Sequence, residues 1–305
     1  MAWYGYLIFF FVFIFLIWMY IGLQIAISIV TPHVKTLGET MLEESKRDPS
    51  LIPYLKAHRT KKYHIKSKYG YQIAIYEFIE YKDSKKFVVM SHGYTYSYHG
   101  TIKYALMMIK LGYNVIMYDQ RFHGDSGGKN TSLGFHEKND LYSVISFIFD
   151  KYGHDIFLGT YGESMGAATC LLEQAMDKRV RFVISDSSFK NLKILIKSQI
   201  KAKGIPTFLF YGIVNIFVWL ISRSNLSKVS PIDAIKESDI PMMFVHGKQD
   251  DFIPYAHSVD LYEAYKGKKT LYLADKDAYH ARSYYNNKED YFKTLKEFSD
   301  QYLKY

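Results

Sequence analysis

Six short apolar runs, FVVMSHG, NVIMYDQ, DIFLGTYG, FVISDSS, PMMFVHG and TLYLADK, each close on polar or glycine residues and are separated by stretches of helical length. No other feature constrains the chain as tightly. Strands joined across a helix pair in parallel through right-handed βαβ units, with helices covering the sheet. The helical stretches fall at 102–111, 141–152, 165–176 and 258–265, and Tyr291, Leu295, Phe298 and Tyr302 share one helical face near the C-terminus. Ahead of this series, KYHIKSK and YQIAIYEFI read as a hairpin turning at Lys68 to Gly70. The expected fold class is α/β, a mainly parallel central sheet flanked by helices. Ligands of such sheets bind beyond the carboxyl ends of the strands, and the polar motifs of this chain fall there.

The N-terminus obeys a different rule. From Met1 to Val30 there is no charged side chain, and thirty residues of helix reach about 45 Å against a hydrocarbon core of about 30 Å. A cleavable signal would carry a positive n-region, an apolar core of about 7 to 15 residues and a small-x-small site, and none of these fits the segment well. We therefore expect a single-pass transmembrane anchor over 1–31, a polar connector over 32–61 and a globular domain over 62–305. Lys35, Lys46 and Arg47 follow the apolar run and no basic residue precedes it. The positive-inside rule then keeps the domain cytoplasmic, although long domains can cross regardless of charge.

A net charge of +9 suits either anionic lipid or nucleic acid. The lysines are scattered, with no zinc-finger spacing, RNA-binding signature or repeated basic helix face, so membrane lipid is the expected partner and nucleic acid is not. Cys170 is the one cysteine; it cannot form an internal disulfide and reads as a small buried thiol.

The chemistry concentrates on Gly162-Glu163-Ser164-Met165-Gly166, between the strand DIFLGTY and the helical run AATCLLEQAM. A serine on a sharp strand-to-helix turn needs glycine two residues to either side, because side chains there would clash. At the helix N-terminus the Met165 amide can stabilise an oxyanion. A hydroxyl becomes a nucleophile only when a base takes its proton, and the base needs an orienting acid. Asp250 follows the strand PMMFVHG, with Asp251 as its neighbouring rival, and His280 lies on the loop after TLYLADK. Ser91-His92-Gly93-Tyr94 ends another strand, and we assign the second oxyanion amide to Tyr94, with His92 as a loop histidine bonding backbone. Asp186, after FVIS, is an alternative acid. Arg121, His123 and Asp125 match no usual zinc spacing, and no metal or cofactor is expected.

With these residues the chain resembles the α/β-hydrolase superfamily, and within it bacterial membrane-anchored members with a short cap. The resemblance covers about Lys62 to Leu303 and rests on four blocks: S-H-G-Y at 91–94, D-Q-R-F-H-G-D-S-G-G at 119–128, G-E-S-M-G at 162–166 and H-G-K-Q-D-D-F-I-P at 246–254. It implies a Ser164, Asp250 and His280 triad with oxyanion amides at Tyr94 and Met165. Tyr279 stands where the family often has glycine or glutamate beside the histidine. The resemblance also implies a cap over about 189–230, in which Ile205 to Ile221 is strongly apolar and reads as a lid or interfacial helix rather than a second span. Phe208, Phe217 and Trp219 are the residues expected to line the acyl pocket.

The expected activity is that of a membrane-anchored serine hydrolase, a carboxylesterase or lipase acting on small acyl esters or lipids. A peptidase of the prolyl type is the alternative, although such enzymes normally carry a large extra domain for which the connector is short. An acyltransferase uses the same triad. A non-catalytic membrane scaffold on the same fold would not need the full set of motif residues.

Overall fold

The computed structural model describes residues 3–51, 53 and 60–304. Two helices come first, α1 (Trp3–Val30) and α2 (Leu37–Arg47), then strands β1 (Lys61–Lys66), β2 (Gln72–Phe78) and β3 (Lys86–Ser91). The series continues through α3 (Ile102–Lys110), β4 (Asn114–Tyr118), α4 (Glu137–Tyr152), β5 (Phe157–Glu163), α5 (Met165–Glu173) and β6 (Val183–Asp186). After β6 come α6 (Leu192–Ala202), α7 (Thr207–Ser222) and the short α8 (Pro231–Ala234). The chain closes with β7 (Met242–Gly247), α9 (Ala256–Ala264), β8 (Lys269–Ala274) and α10 (Lys288–Tyr302).

The eight strands form one sheet in the order β1-β2-β4-β3-β5-β6-β7-β8. The β1–β2 and β2–β4 pairs are antiparallel and the rest parallel, which makes this the α/β-hydrolase fold anticipated from the sequence. Alternation along each strand feeds two cores. Val88 and Met90 of β3 pack toward α3 and α10, where Tyr291, Leu295 and Phe298 are buried. Phe87 and Val89 face the opposite way, among Leu141 and Ile145 of α4 and Leu171 of α5.

The connector is more structured than its polarity suggests. Thr36 and Glu39 make a reciprocal capping box that starts α2, and the helix docks on the domain through Glu44, which accepts hydrogen bonds from Tyr96 (2.9 Å) and Tyr285 (2.6 Å). The signal for this helix, Thr-x-x-Glu at 36–39, is present in the sequence. Residues 54–59 of the connector lie outside the described residues.

Helix α1 does not stand apart either. It runs alongside α7 in the same direction: the Trp18 indole donates to the Leu209 carbonyl (3.0 Å), and the Val30 carbonyl accepts from the Thr131 amide (2.8 Å). A Cβ on Gly22 would lie 2.7 Å from Ile213, so the two helices approach through the small pair Gly22 and Ala26, a spacing that favours close helix contact. With Val214 and Val218 of α7, and Leu192 and Ile196 of α6, Ala26 and Val30 form a third apolar core beneath the cap. From Trp3 to Ile17 the α1 side chains are almost all exposed and apolar.

Candidate active site

Ser164 sits between β5 and α5 with φ 56° and ψ −117°, a backbone conformation that non-glycine residues rarely occupy. Close packing enforces it. A Cβ at Gly162 would come within 2.3 Å of the Gly166 backbone, and one at Gly166 within 2.1 Å of the Ser91 carbonyl oxygen. Neither contact is possible for a side chain.

Three loops bring the polar residues together. Ser164 Oγ lies 2.9 Å from His280 Nε2, and His280 Nδ1 lies 2.7 Å from Asp250 Oδ2. A carboxylate only accepts, so Nδ1 carries the hydrogen of the neutral ring and Nε2 is left to accept from the serine hydroxyl. Asp250 is buried. Burial alone would raise its pKa, but hydrogen bonds from His246 and His280 outweigh that and hold it at about 2. The other oxygen, Oδ1, accepts from the Phe252 (3.0 Å) and Ile253 (2.8 Å) amides. Asp251 is exposed. Asp186 is engaged elsewhere, accepting from the hydroxyls of Tyr104, Tyr291, Ser187 and Ser283.

His246 is a residue the sequence reading passed over. Its Nε2 faces Asp250 Oδ2 (3.0 Å) and the Ile253 carbonyl (2.7 Å), both acceptors, so it donates there and receives the Ser258 hydroxyl (2.7 Å) at Nδ1. Its place four residues before Asp250, at the end of the same strand, is the only signal the sequence carried. A second unread pair lies next to the serine: Lys103 and Glu163 form a buried ion pair at 2.6 Å, with Tyr104 donating to the same carboxylate.

The loop that carries Tyr94 is held by two buried imidazoles. His92 Nδ1 donates to Gly93 O (2.7 Å) and its Nε2 accepts from the Gln120 amide (2.9 Å). His123 Nδ1 donates to Arg121 O (2.8 Å) and its Nε2 accepts from the Thr95 amide (3.1 Å). Both rings are satisfied only when neutral, and burial lowers each pKa to about 4. Unfolded histidine titrates near 6.5, so between roughly pH 6.5 and 4 the unfolded chain binds more protons and stability falls as pH falls. Each ring contributes up to about 3 kcal/mol to that loss. We expect the melting temperature in detergent to drop steeply from pH 7 to pH 4.5; a flat profile over that window would contradict the neutral-ring assignment.

Two cavities meet at Ser164, Tyr94 and Phe252. One, of about 410 Å³, carries the charged side chains Lys35, Arg47 and Glu163 and also includes Thr95 and His280. Its two cations are not free, since Lys35 and Arg47 both pair with Glu43. The other, of about 230 Å³, is apolar and is walled by Leu133, Met165, Phe189, Leu192, Leu195, Ile196 and Ile253, together with Ser28 and Ile29 of α1. The hydroxyl of Tyr94 donates to the Ile29 carbonyl (2.9 Å), tying this loop to α1.

The expectation that Phe208, Phe217 and Trp219 line the acyl pocket is corrected here. None of them borders the apolar cavity. Helix α7 is apolar on nearly every side, with Asn215 as the polar residue in its middle, and turns Ile213, Val214 and Val218 inward. This leaves Phe208 85% and Trp219 51% exposed, while Phe217 packs against the core under the cap. The cavity is lined instead by α6 and by the end of α1.

Comparison with known proteins places this geometry in context. A family model described as the prolyl oligopeptidase family matches residues 103–305. The chain is 34% identical over 285 residues to YqkD, an uncharacterized protein of Bacillus subtilis (strain 168), covering 90% of this chain and 93% of that protein. It is 22% identical over 200 residues to the lysophosphatidylserine lipase ABHD12 of Danio rerio, covering 63% of this chain and 50% of that protein. Among solved structures, the Pyrococcus furiosus esterase Pf2001 superposes with a TM-score of 0.65 at 23% identity, over 83% of this chain and 94% of that one.

Proposed function

The chain belongs to the prolyl oligopeptidase family, and on that premise we propose that it is a membrane-anchored serine hydrolase that cleaves carboxylic esters with lipid-like acyl groups. The observation that carries the reading is the hydrogen-bonded line Ser164–His280–Asp250 opening onto an apolar cavity. Ser164 Oγ attacks the ester carbonyl while its proton passes to His280 Nε2, and the Asp250 carboxylate stabilises the imidazolium that forms. The Tyr94 and Met165 amides receive the oxyanion. As the C–O bond breaks, His280 returns the proton to the leaving alcohol, which departs through the cavity that carries Lys35, Arg47 and Glu163. Water, deprotonated by the same imidazole, then releases the acid.

An acyl ester suits the apolar cavity, and the name of the ABHD12 relative, a lysophosphatidylserine lipase, points the same way. Residues 1–31 serve as the anchor, since the exposed apolar side chains of α1 have no protein cover over most of its length and a helix apolar all round needs lipid. The family description favours a peptidase as the second reading.

Both readings are tested together on the full chain in detergent micelles. A fluorophosphonate should label it, and turnover of acyl esters should exceed that of prolyl peptides. No labelling would remove the serine-hydrolase reading; labelling with turnover confined to peptides would replace esterase by peptidase.

A further inference from the structure

The apolar cavity at Ser164 does not end under the cap. Ser28, Ile29, Ile196, Gln199 and Lys203 border it and also border a smaller cavity of about 70 Å³ that reaches Ile25, Ile200 and Ile205. With five residues in common, the two are one continuous groove. On α6 and the residue just beyond it, the lining positions are Leu192, Leu195, Ile196, Gln199, Ile200 and Lys203. Steps of three and one residue mark a single helix face, and eleven residue steps span about 17 Å. Positions 25, 28 and 29 form the facing wall on α1. The groove therefore runs lengthwise between the two helices, from the serine toward the part of α1 whose apolar side chains have no protein cover.

Resting on the reading of Ser164 as the nucleophile and α1 as the anchor, we propose that this groove is an acyl-chain channel open sideways to the bilayer. One long acyl chain of a membrane lipid ester enters between α1 and α6 and reaches Ser164 without crossing water. The N-terminal helix is then a wall of the substrate site as well as an anchor. Two polar groups in the groove are turned to protein partners: Gln199 Nε2 donates to the Phe252 carbonyl (2.7 Å) and Ser28 Oγ to the Ile25 carbonyl (2.8 Å). Lys203 is exposed and can extend its ammonium toward lipid headgroups while its stem borders the groove.

The test uses the full chain in lipid nanodiscs and a long-chain alkyl fluorophosphonate with a diazirine at the end of its tail. Once the phosphorus is bonded to Ser164 and fluoride has left, photolysis records where the tail lies. Cross-links should map to 25–29 and 196–205. Cross-links confined to the outer face of α7 or to the Lys35 and Arg47 cavity would overturn the channel, whereas absence of any labelling at Ser164 would instead overturn the proposed function. A kinetic arm checks the same point. Ser28→Trp, at an exposed position that fills the groove, should lower the ratio of long-chain to acetate kcat/KM at least tenfold. Ile194→Trp, on the opposite face of α6 and 46% exposed, should leave that ratio unaltered; an equal effect of the two would also overturn the channel.

Discussion

Replacing Ser164 by alanine is expected to abolish fluorophosphonate labelling and to lower ester turnover by about a millionfold, the scale on which loss of a serine nucleophile acts, while the fold persists. The side-chain oxygen bonds His280 and contributes no cap to α5. What holds the strained turn is the close packing around Gly162 and Gly166, and alanine leaves that packing alone. The melting temperature of the variant should stay close to that of the parent. Labelling of Ser164→Ala at the parental level would show that another residue is the nucleophile.

The second large effect is expected from Asp250→Asn, about ten-thousandfold in kcat by analogy with the same change in other serine hydrolase triads. The local hydrogen bonding explains why. Oδ1 of Asp250 accepts from two backbone amides, Phe252 and Ile253, which cannot turn into acceptors. An asparagine must keep its carbonyl oxygen there, so its NH₂ group replaces Oδ2 opposite His280 Nδ1 and His246 Nε2. Both rings would have to change tautomer to accept from it. His280 would then carry its hydrogen on Nε2 and point a donor at the serine hydroxyl, so it could no longer take the proton. Asp251→Asn changes an exposed side chain and should cost little. Comparing kcat for the two variants on one ester checks the argument, and a larger loss for Asp251→Asn would move the acid by one residue. Because the three groups act as a unit, adding Asp250→Asn to Ser164→Ala should cost almost nothing further.

Much of this architecture was legible in the chain because it depends on short-range rules. Strand and helix periods follow from how side chains alternate along a backbone. The turn at Ser164 follows from a steric requirement met within five residues, 162–166, and the charge-free N-terminus from the absence of any ionisable group over thirty positions. Helix α2 was legible as well, through Thr36 and Glu39, but its polarity argued for a connector and masked the cap.

What the sequence by itself determined was the order and kind of the elements, the serine on its turn, and the region in which an acid and a base must follow. Only the tertiary structure decided which carboxylate meets His280, because Asp186 ends β6, Asp250 and Asp251 follow β7, and the three differ in their partners rather than in their local pattern. It also decided which face of the cap turns inward. A helix such as α7, apolar apart from Asn215 and its ends, has no polar side to mark its outside, so Phe208 and Trp219 could be placed only once Gly22 and Ala26 of α1 had taken the inner face. For the same reason the end of α1 became a wall of the cavity at Ser164: contacts between positions more than a hundred residues apart are set by packing and leave no trace in local spacing.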